Sequence, residues 1–191
     1  MQVVPYKDST QSKKKQVSEM FNGISGQYDQ MNRLITFGVD LRWRKRLIEK
    51  VASLSPKNVL DVATGTGDLA LAIAKETQAQ VIGLDISAGM LAVGAEKIKT
   101  AHLQQRVDMI LGDSESIAFE DNRFDAVTVA FGVRNFENLE RGLLEIKRVL
   151  KPGGTLAVLE TSVPTNPIFK LGYLMHTWLM LPLISKLFAT D

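Results

Sequence analysis

The residues with the clearest chemical potential lie in Asp61-Val62-Ala63-Thr64-Gly65-Thr66-Gly67-Asp68. Glycines at 65 and 67 let a chain turn tightly and approach a ligand with no Cβ in the way. Alone, Gly65-Thr66-Gly67-Asp68-Leu69-Ala70 also fits the G-x-G-x-x-G/A pattern of a dinucleotide site. A lone match of that kind is weak, and an ordinary glycine turn explains it as well. Carboxylates separate the ligands. Asp61 stands four positions before Gly65, at the mouth of the loop, where a pyrophosphate would meet a negative charge. A ligand carrying an ammonium and a sulfonium would instead gain on the order of several kcal/mol from such a partly screened pair. Asp68 has the same preference, and the ligand of that description is S-adenosylmethionine (SAM). Asp85, closing Val81-Ile82-Gly83-Leu84-Asp85, is placed to accept hydrogen bonds from ribose hydroxyls. Asp113-Ser114, after Val107-Asp108-Met109-Ile110-Leu111-Gly112, can receive an adenine amino group.

These carboxylates need a scaffold that brings them to one edge. From Asn58 onward short apolar runs alternate with helical stretches: NVLDVA, VIGLD, VDMILGD, FDAVTVAFG and TLAVLE, with helices such as DLALAIAKE and NLERGLLEIKRVL between them. Five such runs predict an α/β fold, a doubly wound, mainly parallel sheet covered on both faces. Asp61, Asp85 and Asp113 are 24 and 28 residues apart, each close to one βαβ unit of about thirty residues. Any one of them reads equally well as a helix N-cap. Three at strand ends beside a glycine loop converge on the carboxyl edge of the sheet, where such folds bind ligands. Upstream, Lys13 to Leu54 reads as helix broken near Gly23–Gly26 and at Phe37-Gly38, and the polar start to about Ser12 as loosely held. The chain is expected to form one structural domain, with a helical lid region over 1–54 and a SAM-binding α/β region over 55–191.

Bulk properties fit that picture. The chain has 191 residues, 45% hydrophobic and 23% charged, with 23 basic residues against 21 acidic and a net charge of +2. Nothing in this balance calls for a polyanionic partner. The absence of cysteine excludes disulfides, thiolate metal sites and cysteine nucleophiles, and suits a reducing, cytoplasmic setting. No His and carboxylate cluster has metal-ligand spacing, so no metal is expected.

Further blocks carry a resemblance. Val17 to Ile24, Tyr28-Asp29-Gln30-Met31-Asn32, Phe37-Gly38 before Trp43-Arg44, Phe131-Gly132-Val133-Arg134-Asn135, and Arg148 to Gly154 leading into Leu159-Glu160-Thr161-Ser162-Val163-Pro164 resemble the ubiquinone/menaquinone biosynthesis C-methyltransferases, a family of class I SAM-dependent methyltransferases with a Rossmann-like fold. The likeness runs from about Val17 to the end. It implies cofactor contacts at Thr66, Asp85, Asp113 and Ser114, which with Asp61, Gly65, Gly67 and Ile86 make up the candidate cofactor set. It implies methylation of a ring carbon on a prenylated quinol, with S-adenosylhomocysteine as the by-product; demethylmenaquinol is the leading acceptor and the benzoquinol precursor of ubiquinone the runner-up. Family members continue past the position of Asp191 with two more strands, so the last strands are expected to be missing and a fragment without catalysis, a SAM- or nucleotide-binding module, stays in view. Thr64 replaces a glycine found in some members.

Methylating a quinol carbon needs a base, or a cation that stabilises the oxyanion formed when a hydroxyl loses its proton. Arg134 is the first candidate; being always protonated, it would hold the oxyanion or orient a water. A surface salt bridge is its plainer reading. Tyr28 and Asn32 share a helix face at i, i+4 and are candidates for the lid side of the site. His176 is the remaining catalytic candidate, though a lone histidine in an apolar tail is more often a packed residue. Ile168, Leu171, Leu174, Met175, Trp178 and Leu179 fall on one helical stripe, suited to core packing or to a wall for an isoprenoid tail. Only residues 171–185 are free of lysine there, short of the roughly twenty apolar residues a span needs, so contact with the inner face of a membrane would be peripheral. Lys13-Lys14-Lys15 and Arg42, Arg44, Lys45 and Arg46 can assist such contact, or form solvated helix faces. Phe131-Gly132-Val133-Arg134-Asn135 lacks the Asn/Asp-Pro-Pro-aromatic motif of base-amino methylases, and no basic stripe with aromatic platforms is present, which argues against nucleic acid. The oligomeric state is left open, a homodimer included.

Overall fold

The structure, a computed structural model, describes residues 4–6, 8–162, 164–175 and 178. Three helices come first: α1 (Lys13–Ile24), α2 (Tyr28–Thr36) and α3 (Val39–Ala52). The breaks fall where the glycines and their neighbours predict them. Phe37 and Gly38 both take left-handed backbone, and the Phe37 and Gly38 N–H groups close α2 on Leu34 and Arg33 carbonyls. Ser12 caps α1 by accepting from Lys15 N–H. Ahead of α1, Tyr6 N–H donates to Gln16 Oε1 at 2.9 Å, tying Tyr6 to buried Gln16 of that helix.

Strand and helix then alternate through β1 (Asn58–Val62), α4 (Asp68–Glu76), β2 (Gln80–Asp85), α5 (Ala88–Thr100), β3 (Val107–Leu111), β4 (Phe124–Ala130), α6 (Leu139–Val149), β5 (Leu150–Leu159) and α7 (Pro167–Met175). The sheet is parallel throughout in the order β3-β2-β1-β4-β5. The chain therefore winds outward from β1 in one direction and restarts at β4 in the other. That reversal leaves a crevice at the carboxyl ends of β1 and β4. β5 begins earlier than the TLAVLE run: Leu150 pairs with Phe124, and the register then shifts across Lys151-Pro152-Gly153-Gly154 before Thr155 meets Ala126. Gly153 takes φ 79° in this irregular stretch, and Lys151 Nζ is bound to Asp125 at 2.6 Å.

Side-chain alternation along β1 divides the core. Leu60 and Val62 enter a layer with Phe124, Val127, Ile146 and Val149, while Val59 enters the opposite layer with Leu69, Ile73 and Val81. Leu47 and Val51 of α3 join that second layer. Asp61 shares the Val59 side of β1 and so points among α3 and α4 at the crevice. Gly132, just past β4, is required by space: a Cβ there would lie 2.5 Å from the Ala63 Cβ and 3.1 Å from Val129 Cγ1. Gly132→Ala is expected to force the ends of β1 and β4 apart, at about 1–3 kcal/mol. Urea unfolding should show the loss, and calorimetry with S-adenosylhomocysteine an accompanying drop in affinity.

Candidate active site

The turn from β1 into α4 is built on backbone that L side chains rarely adopt. Ala63, Gly65 and Gly67 have φ of 54°, 58° and 75°. Gly67 then caps α4, and its N–H donates to Thr64 O at 3.0 Å. Ala63 pays some steric strain there, as does Phe131 at the end of β4 (φ 59°). Both line the crevice.

A cavity opens along the carboxyl ends of the strands. Gly65, Asp85, Ile86, Asp113, Ser114 and Tyr28 line it, bringing six of the predicted residues together. Asp85 is buried and fixes the loop: its Oδ2 accepts from Gly65 N–H and its Oδ1 from Ser87 N–H, each at 2.8 Å. Burial raises its pKa above the ordinary carboxylate value, against the pull of those backbone donors. Asp113 accepts from Glu115 N–H with Oδ1 and holds Lys14 Nζ at 2.5 Å with Oδ2. Burial alone would lower the Lys14 ammonium, but Asp113 and Glu115 outweigh it and hold it above its usual range.

A smaller cavity adjoins the first, sharing Tyr28, Ala63, Gly65 and Ala130. Asp61 and Thr66 line it with Arg44, Thr64 and Asp68. Asp61 is 1% exposed. Its oxygens accept from Thr64 Oγ1 and Thr128 Oγ1, each at 2.6 Å. Burial pushes its carboxyl up to about 6 in spite of both hydrogen bonds. Gly67 lines neither cavity and serves the turn.

The N-terminal helices close over this edge by specific polar contacts. Asn22 Oδ1 accepts from Ser87 Oγ at 2.7 Å and Gly89 N–H at 2.8 Å, pinning α1 to the start of α5. Tyr28 stands edge-on to Phe21 at 5.8 Å between ring centres and faces Gly65. Asp29 accepts from Thr66 Oγ1 at 2.7 Å and pairs with Lys97 Nζ at 2.5 Å, while Lys97 also meets Asp68 at 2.5 Å. Lys97→Met leaves Asp29 and Asp68 without their shared cation, so α2 should loosen. Limited proteolysis is expected to cut between Gly23 and Gly38 faster than in the wild type, with the sheet still folded by circular dichroism.

Other predicted residues fall elsewhere. Arg134 lies on a 3-10 turn (Val133–Asn135), exposed, paired with Glu160 and 6.0 Å from the centre of the Phe131 ring. It lines neither cavity. Asn32 is half-buried on α2, its carbonyl accepting from Thr36 Oγ1 at 2.8 Å. His176 lies outside the described residues. Two lysines expected on a solvated face are not there. Lys13 is buried and donates to the Arg134 and Phe136 carbonyls at 2.8 Å each, and Lys14 is held by Asp113 as above; only Lys15 matches the expectation. Arg44 likewise turns inward while Arg42, Lys45 and Arg46 stay exposed. Helical spacing gave the only available clue: Lys13, Val17 and Met20 recur at i, i+4, i+7, a stripe that carries a lysine inward with the apolar residues. Among the described residues no three His, Asp or Glu side chains cluster as a metal would require, and no helix is long and apolar enough to cross a membrane.

The donors and acceptors fit an adenosine bearing an amino-acid arm. Asp85 and Asp113, whose oxygens can accept from hydroxyl or amino groups, and a glycine turn border one cavity, and a smaller cavity lined by Arg44, Asp61 and Asp68 adjoins it.

Comparison with known proteins points the same way. Residues 9–191 match the ubiE/COQ5 methyltransferase family. A demethylmenaquinone methyltransferase of Bacteroides fragilis is 42% identical over 190 residues, covering 99% of this chain and 77% of that protein. The ubiquinone/menaquinone biosynthesis C-methyltransferase UbiE of Geobacter sulfurreducens is 43% identical over 179 residues, covering 93% and 70%. Among solved structures, a SAM-dependent methyltransferase of Aquifex aeolicus superposes with a TM-score of 0.56 at 24% identity, over 68% of this chain and 77% of that one, a likeness of fold.

Proposed function

The chain belongs to the ubiE/COQ5 methyltransferase family, and from that premise we propose that it is a SAM-dependent enzyme that methylates a ring carbon of a prenylated quinol, demethylmenaquinol first among the acceptors. The observation that carries the reading is the convergence of Asp85, Asp113 and Ser114 with the Gly65 turn on one cavity at the β1/β4 reversal. SAM, when bound, supplies a methyl group already activated on a sulfonium. Asp85 would hold the ribose hydroxyls, Asp113 and Ser114 the adenine edge, and Asp61 the ammonium. The remaining task is to align the acceptor and raise the nucleophilicity of its carbon.

Phe131, Phe21 and Tyr28 give the larger cavity an aromatic wall suited to a quinol ring. Arg134 stands beside Phe131 at the cavity rim, where its guanidinium can leave Glu160 for the oxyanion of a deprotonated quinol. α7 exposes Leu171, Leu174 and Met175, a surface fit to follow an isoprenoid tail toward the face of a membrane. Arg134→Ala is expected to keep S-adenosylhomocysteine affinity and to lose turnover by roughly 100-fold or more. Equal losses in both would make Arg134 a structural residue.

The test of the function itself is mass spectrometry of products after incubating the protein with SAM and demethylmenaquinol, a prenylated benzoquinol, or a water-soluble phenol. Methylation of a prenylated quinol alone is the expected result. Methylation of the phenol alone, or S-adenosylhomocysteine binding with no methylated product, would overturn it.

A further inference from the structure

The corner between α2 and α3 presents apolar side chains to solvent beside a band of positive charge. Leu34, Phe37, Val39 and Leu41 are all exposed there, Phe37 by 66% and Leu41 by 52%. Single exposed apolar residues are ordinary, whereas four gathered at one turn make a patch. Helical spacing gathers them. Gln30, Arg33, Leu34 and Phe37 recur at i, i+3, i+4 and i+7 and are all exposed, forming the outer face of α2. α3 turns Asp40, Arg44, Leu47 and Val51 inward and leaves Arg42, Lys45, Arg46 and Glu49 outside. The charges of this corner do not balance. Of the three acids in α2 and α3, Asp29 is engaged by Thr66 and Lys97, Asp40 is buried, and Glu49 is exposed. Glu49 lies 3.8 Å from Lys45, so the exposed Arg33, Arg42 and Arg46 are left in excess.

We propose that the α2–α3 corner docks on an anionic bilayer surface, its apolar tip entering the headgroup region and its arginines meeting lipid phosphates. Arginine stems are long and apolar, so the guanidinium groups reach the phosphates while Leu34 and Phe37 sit deeper. Each guanidinium can take a phosphate through two parallel N–H···O bonds. The apolar residues line a turn rather than a groove, which suits a fluid surface better than a peptide or a second protein. The same two helices carry walls of the cavities: Tyr28 at the start of α2 lines both, and Arg44 on α3 lines the smaller. Trp43 of α3 packs on Phe131 of the larger cavity at 6.4 Å between ring centres. Docking the corner therefore fixes the cavities relative to the bilayer, and an acceptor with an isoprenoid tail is delivered from the lipid. That purpose rests on the prenylated-quinol reading, whereas binding to the bilayer does not.

Vesicle flotation of the whole chain tests the binding without substrate. The wild type is expected to float with vesicles of phosphatidylcholine and phosphatidylglycerol, to stay behind with phosphatidylcholine alone, and to be released by raised salt. Replacing Arg33, Arg42 and Arg46 together by glutamine should weaken binding at least about 10-fold. Leu34→Gln combined with Phe37→Asn should weaken it by a similar factor; asparagine tolerates the left-handed backbone at position 37, where φ is 50°. Both variants should bind S-adenosylhomocysteine like the wild type. Their turnover of a prenylated quinol should fall in anionic vesicles and hold in detergent micelles. In the wild type, anionic vesicles should protect the bonds after Arg33, Arg42 and Arg46 from trypsin, a result that locates the contact even if a variant folds poorly. Equal binding to neutral vesicles, binding that survives both sets of replacements, or no protection of those bonds would overturn the proposal. A wild type that ignores anionic vesicles and instead dimerises through this corner would overturn it too. A wild type that floats as expected but methylates no prenylated quinol would refute the functional reading and leave the docking in place.

Discussion

Asp85→Ala is expected to remove S-adenosylhomocysteine binding from the range calorimetry measures, a loss of at least about 100-fold from two charge-assisted hydrogen bonds. Two effects combine. The ribose hydroxyls lose their acceptor, and the Gly65 and Ser87 N–H groups that Asp85 now satisfies at 2.8 Å each lose theirs. The glycine turn would no longer be held to the end of β2, so the cavity loses shape as well as charge. Asp85→Asn should be nearly as damaging. Its partners in the protein are backbone donors, with at least one on each oxygen, and an amide must set its own NH₂ against one of them. Thermal unfolding separates the two effects: the drop in melting temperature measures the lost anchoring, and the affinity measures the rest. An Asn variant that binds S-adenosylhomocysteine like the wild type would sink the account.

What the sequence made legible was the part written in local patterns. The strand-like runs carried Asp61, Asp85 and Asp113 at or next to their carboxyl ends, and the glycines after the first run marked the turn. These features recur at fixed spacing and need no tertiary information. The charges that complete the site are another matter. Lys14 meets Asp113 across 99 residues, Lys13 meets the Phe136 carbonyl across 123, and Thr66 meets Asp29 across 37. Three consecutive lysines on an amphipathic helix read as a solvated face until the packing of α1 fixes which of them turns inward. Arg44 poses the same problem among Arg42, Lys45 and Arg46, and only the rotation of α3 about its axis tells it apart. Positive φ at Ala63 and Phe131 leaves no trace in residue type, since neither is the glycine that such backbone favours.

Asp61 presents the reverse case from Asp85, and its replacement should stabilise the protein while damaging the site. A carboxyl pushed to about 6 by burial stays protonated in the folded chain at pH values where the unfolded chain, near 3.8, has already released its proton. Below about pH 3.8 the two states bind that proton equally. As pH rises from there through about 6 the folded state alone retains it, so stability declines across that window and levels off above it. The full decline amounts to at most about 3 kcal/mol. Asp61→Asn removes it. Here the partners are the Thr64 and Thr128 hydroxyls, which donate or accept by rotation, so an amide is satisfied where at Asp85 it was not. Urea unfolding should give superimposable midpoints for wild type and Asp61→Asn near pH 4 and a variant more stable by about 1–3 kcal/mol at pH 7.5. S-adenosylhomocysteine affinity should fall at least about 10-fold at that pH, because the ammonium loses its counter-charge. The same logic requires the wild type to release a proton on binding at pH 6, seen as a dependence of the binding heat on the ionisation enthalpy of the buffer. Parallel stability curves across pH for the two proteins would show that the buried charge costs nothing. Unchanged affinity would show that Asp61 serves the fold alone. Both expected results together would mean that the chain keeps a destabilising carboxylate at the end of its central strand because the cofactor's ammonium needs it there.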